Sequence, residues 1–179
     1  MNTLHRFSVL LLVALAGACD QPAAPDAGQT EDGQTLAIAQ ASAHIAANGT
    51  FTQTAISGLD VRFAGPNTIL EQTSEGSVNG TLNGSYEDDL RVVIHPNGRF
   101  NAQFTITCQC MVEGKQGVLE LVATDRGQLV GPNLATFAGR AVITGGSGEL
   151  SGLRGVLEIA GTVDVASGLS TYTYSGRIH

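Results

Sequence analysis

The chain has 179 residues and a mass of 18.4 kDa, which fits one domain plus accessories better than two domains. It is 42% hydrophobic and 14% charged, so it can bury a core and is not disordered throughout. Nine basic against sixteen acidic residues give a net charge of −7, which argues against nucleic acid or an anionic membrane surface as a partner held by charge.

Residues 1–18 read as a signal peptide. A short polar start with His5 and Arg6 is followed by the unbroken apolar run 8–16 (SVLLLVALA) and then by Gly17, Ala18 and Cys19. The run is far shorter than the ~20 residues of a spanning helix. Two cleavage readings fit. Ala16-Gly17-Ala18-Cys19 resembles a bacterial lipoprotein box, with Cys19 lipidated as the mature N-terminus, although Leu15 stands one place before the leucine that the box prefers. Ala16-Gly17-Ala18 also fits an ordinary A-x-A site that would release a soluble secreted or periplasmic protein. The lipidated form is the expected one, held in the cell envelope and meeting the membrane only through its lipid. Residues 20–35 (DQPAAPDAGQTEDGQT) contain no large apolar side chain and read as a flexible acidic tether. Residues 36–47, with Leu36, Ile38 and Ile45, fit a helix or an extended lead-in equally well. The expected organisation is therefore signal peptide at 1–18, lipidated N-terminus, tether and lead-in at 19–47, and a β domain at 48–179.

From residue 49 onward, Thr, Val and Gly content and turn dipeptides indicate strands. Asn-Gly occurs at 48–49, 79–80, 83–84 and 97–98, each a hairpin cue. The clearest strand covers 99–112. Phe100, Ala102, Phe104, Ile106, Cys108, Cys110 and Val112 share one face, and polar residues plus Met111 share the other. Further strands are expected near 50–56, 67–77, 81–94, 117–125, 135–144, 156–165 and 171–178. In 117–125 the outer face carries Val118 and Val122, which predicts cover from another element or from a second subunit of a homo-oligomer. Strands joined by short turns lose their exposed edges when the sheet closes on itself.

Residues 145–155 read GGSGELSGLRG, followed by VLEIAGTVD and TYTYSGRIH, with GTFT at 49–52 and FNAQFTITC in mid-chain. This set resembles the allene oxide cyclase-like, dirigent-like barrel superfamily, and most closely a bacterial domain family of unknown function within it. The resemblance implies an all-β domain: an eight-stranded antiparallel up-and-down barrel, often assembled into oligomers. On physical grounds the glycine stretch is a tight bend anchored by Leu150 and Leu153, with Glu149 and Arg154 as a surface pair. It is no phosphate loop, because the G-x-x-x-x-G-K-[ST] pattern is missing and Ser151 stands where G-x-G-x-x-G needs its last glycine.

Four residues are candidate ligand-binding groups: Cys108, Cys110, Glu120 and Glu158. Cys108 and Cys110 lie on one strand face at spacing i, i+2, and three readings fit them: small buried hydrophobes, a disulfide, or a metal or redox pair. His44, His95 and His179 show no partner spacing, so no metal site and no cofactor are expected. Glu87-Asp88-Asp89 reads as a solvated segment and Tyr172 with Tyr174 as core. No catalytic set can be assigned. The expected function is an exported, lipid-anchored barrel that binds a small apolar ligand or serves as an envelope interaction module. The alternative is a cyclase- or isomerase-like enzyme in which a cysteine and a buried Glu120 or Glu158 shape the reaction. A purely structural oligomer is a third reading.

Overall fold

A computed structural model describes residues 44–179. The signal peptide, Cys19 and the tether lie outside the described residues. Eight strands follow one another: β1 (Ile45–Ala64), β2 (Asn67–Gly80), β3 (Asn83–Ile94), β4 (Arg99–Val112), β5 (Lys115–Leu129), β6 (Leu134–Gly148), β7 (Gly155–Asp164) and β8 (Ser170–Ile178). Each pairs antiparallel with the next, and β8 pairs back onto β1 from Ile45↔Ile178 to Thr52↔Thr171, closing the barrel. The expected all-β, eight-stranded up-and-down barrel is the observed architecture.

Alternation drives the closure. Every second residue of β4, from Phe100 to Val112, is buried, and the residues between them are exposed. Such a strand needs one dry side and one wet side, and a sheet rolled on itself supplies both without leaving an edge. Inward-facing glycines make room for the large rings in so narrow a cylinder. A Cβ at Gly76 would stand 2.7 Å from Tyr86 Cε1, so any side chain there would displace the ring.

The two poles differ. The lower pole holds the β2–β3, β4–β5 and β6–β7 connections, together with the start of β1 and the end of β8. It is sealed by buried Val78, Leu82, Val112, Leu119, Leu150 and Ile178. The Tyr174 hydroxyl accepts from Leu82 N at 2.8 Å and ties the β2–β3 turn to β8. The upper pole holds the other four connections. There the β1–β2 hairpin is longest, with Phe63 80% exposed at its tip. Arg62 donates to Glu71 at 2.7 and 2.9 Å, and Arg91 donates to the same carboxylate at 3.1 Å, bracing the hairpin on its outer side.

Several expectations are corrected. Asn48-Gly49 is not a turn. It lies inside β1, which begins at Ile45, and Gly49 is needed because a Cβ there would come within 2.5 Å of the Tyr174 hydroxyl. The lead-in is thus extended at 45–47. Residues 145–148 of the glycine stretch belong to β6, and the bend follows, anchored by buried Leu150 while Leu153 is half-buried. Glu149 does not pair with Arg154: its carboxylate accepts from Gln116 N at 2.9 Å, and Arg154 donates to the Leu153 carbonyl at 2.7 Å. On the outer face, Val122 and Val142 are cross-strand partners and both stay exposed within the described chain.

Candidate functional site: a cavity at the upper end of the barrel

The upper half of the barrel is not filled by side chains. A cavity of ≈ 190 Å³ opens between the upper connections, rimmed by Leu70, Ile94, Phe100, Leu129, Val163 and Val165. Its volume is comparable to the ~150 Å³ apolar cavity that holds benzene in an engineered protein, so it suits a compact ring-sized molecule. Deeper in, Tyr172 of β8 stacks on Phe51 at 5.0 Å with 9° between the planes. It also meets Phe137 and Phe104 edge-on at 5.7 and 6.5 Å.

Two carboxyl groups break this apolar wall. Asp88 (β3) is 9% exposed and Asp125 (β5) is 7% exposed, and both line the cavity. The Ser74 hydroxyl of β2 donates to Asp88, whereas Asp125 Oδ1 is fully buried and has no hydrogen-bond partner. Burial pushes each carboxyl up to about 6. At Asp88 the Ser74 bond opposes that rise, and the neighbouring Asp89 charge adds to it. Burial also raises the Tyr86 and Tyr172 hydroxyls above the ordinary tyrosine range, so both are neutral donors at physiological pH. The two hydroxyls lie close enough to each other to perturb each other's titration. Gln53 Oε1 accepts from Ser170 N at 2.9 Å and from its hydroxyl at 2.8 Å, which leaves Gln53 Nε2 unpartnered. Buried polar atoms left unpaired cost about 1–3 kcal/mol each. Gln53, Asp125 and Tyr172 line the cavity, so its wall presents polar atoms to whatever enters it.

The sequence-derived candidates are distributed differently. Cys108 and Cys110 are buried below the cavity and bonded to each other, so the disulfide reading holds over the free-thiol and metal readings. Their Cα atoms are 5.3 Å apart, closer than the ~6.6–7 Å of a flat strand. Glycines flank Cys110 on both neighbouring strands, Gly84 on β3 and Gly117 on β5, while Tyr86 and Leu119 stand beside Cys108. Thiol titration of the denatured, unreduced chain is expected to find no free thiol at 108 or 110, and a titratable pair there would contradict the bond.

Glu120 and Glu158 are on the outer face, both exposed, and neither lines the cavity. Glu120 lies against Gly145, and Glu158 stands opposite Arg140 in a shallow outer groove. The cyclase reading built on these two carboxylates is corrected accordingly. Asp88 is also a correction. Only Glu87 and Asp89 of the acidic trio are solvated. Strand parity could have found both buried carboxyls, because Asp88 alternates with Tyr86 and Leu90, and Asp125 follows Leu119, Leu121 and Ala123 on one face.

The fold and the cavity together define a class: a closed antiparallel barrel, sealed at one pole, with an apolar chamber at the other that carries buried carboxyls. The solved structures similar to the chain include two pterocarpan synthase dirigent proteins. PsPTS1 is 11% identical over 76% of this chain and 95% of its own, with a TM-score of 0.47. GePTS1 is 13% identical over 84% and 96%, with a TM-score of 0.46. Identities this low transfer no site residue. No protein-family profile and no curated protein matches the chain.

Proposed function

We propose that the protein is an exported, lipid-anchored β-barrel that holds a small, largely apolar ligand in its upper cavity. The observation that carries this reading is the ≈ 190 Å³ chamber with apolar walls, open at the pole opposite the start of β1. Eight-stranded barrels either fill their interior or keep room for one small ligand, and this one keeps room. Export and anchoring rest on the leader and on Cys19. Native mass spectrometry of the full chain purified from its host tests both halves. The expected spectrum shows a lipid mass on Cys19 and a co-purified small molecule that leaves on activation. A chain without the lipid, or a Cys19→Ser variant with unchanged membrane association, would remove the anchor. A cavity that takes up no apolar compound would remove the ligand. A cyclase- or isomerase-like activity is the second reading, with Asp88 and Asp125 now replacing Glu120 and Glu158 as its acid and base groups. What supports it is their titration near neutrality inside a cleft.

A further inference from the structure

We propose that the cavity is selective for a compact apolar amine, bound as its ammonium ion, with Asp125 as counter-ion and Tyr172 and Phe137 as flanking aromatic faces. This rests on the ligand-binding reading above and names its ligand class. The cavity lining contains two carboxyls and no lysine, arginine or histidine. Asp125 Oδ1 is buried without a partner. An anion in such a place is disfavoured unless a cation or several donors meet it. The barrel interior has no cation to offer, since Arg126 and Arg140, which flank the site in sequence and register, are on the exposed face.

Space is kept open beside the carboxyl. Gly139 of β6 is opposite Asp125, and a Cβ there would come within 2.5 Å of Asp125 Cβ. Ala102 of β4 is the other cross-strand neighbour and is also small. The rings around Tyr172 present faces and edges to the same chamber, and aromatic faces attract ammonium groups, more strongly when water is excluded. A neutral ligand of the same shape would satisfy the apolar walls but give Asp125 at most a neutral hydrogen bond and no counter-charge.

The groups that face Asp125 set its pH response. Neither neighbouring strand contributes an inward-facing charged or titratable residue (Phe100, Ala102 and Phe104 on β4; Phe137, Gly139 and Ala141 on β6). Across the chamber stand Asp88 and Tyr86 of β3 and Tyr172 of β8, while β1 and β2 bring the neutral Gln53, Gln72 and Ser74. Amine affinity therefore rises with pH as the two carboxyls ionise, and the affinity of a neutral ligand does not.

Calorimetric titration of the full chain with 2-phenylethylamine and with 2-phenylethanol, which differ only in the polar group, tests the proposal. At pH 7.5 the amine is expected to bind about 10- to 100-fold more tightly, the range of a buried charge-assisted bond. Asp125→Asn is expected to abolish that preference, chiefly by weakening the binding of the amine. Asp88→Asn is expected to weaken amine binding less. Equal binding of the two probes, or a preference that survives Asp125→Asn, would overturn the amine assignment and leave the apolar-ligand reading standing. Failure of both probes to bind would overturn both.

Discussion

Replacing Asp125 by Asn is expected to stabilise the protein at neutral and alkaline pH. Burial raises this carboxyl from 3.8 to about 6, so the folded state holds the proton more tightly than the unfolded chain does. Its contribution to stability is fully present below about pH 4 and is lost as pH rises through about 6. A shift of about two pH units corresponds to roughly 3 kcal/mol once the group is charged. Asn carries no charge but still brings a polar amide into the same dry place. The expected gain at pH 8 is therefore about 1–3 kcal/mol, shrinking towards zero near pH 4. Urea unfolding at the two pH values measures it. A variant less stable than the parent at pH 8 would mean that the carboxylate is already compensated in the folded protein. Asp88 shifts in the same direction, so the parent should lose stability between about pH 4 and 7 on account of both groups. Stability given up at a buried carboxyl that lines the cavity is what the proposed role in binding predicts.

Phe51→Ala is expected to cause the largest loss of stability, about 3–5 kcal/mol. Phe51 is 1% exposed and touches three rings: Tyr172 stacked at 5.0 Å, Tyr86 edge-on at 5.1 Å and Tyr174 edge-on at 5.4 Å. Truncation removes a large buried surface, opens a void between β1, β3 and β8, and forfeits aromatic contacts worth about 0.5–1.5 kcal/mol each. Domains of this size are stable by only about 5–15 kcal/mol, so the variant should unfold at a much lower denaturant concentration. Phe51→Leu keeps most of the volume and should cost clearly less. A Phe51→Ala loss below about 1 kcal/mol would show that the rings repack and that Phe51 does not hold the cluster together.

Period-2 alternation determines which face of each strand is dry, because in a strand the side-chain face follows from residue parity and needs no long-range information. Phe100 to Val112 of β4 is the clearest case: its pattern is visible in the sequence and is reproduced residue by residue in the burial. The same parity already places Asp88 and Asp125 among apolar neighbours. The tertiary structure decides what parity cannot. Which Asn-Gly is a turn and which is a close approach depends on a ring from a distant strand, as with Tyr174 over Gly49. Whether an inward carboxyl meets a partner depends on what the other strands bring to the same level, and that is set by the register of closure. Ser74 reaches Asp88, and nothing reaches Asp125 Oδ1. By the same parity Glu120 and Glu158 fall opposite the core-facing Leu119, Leu121, Leu157 and Ile159, whereas the position of the cavity emerges only when the sheet closes, because it depends on which side chains of all the strands meet at one level.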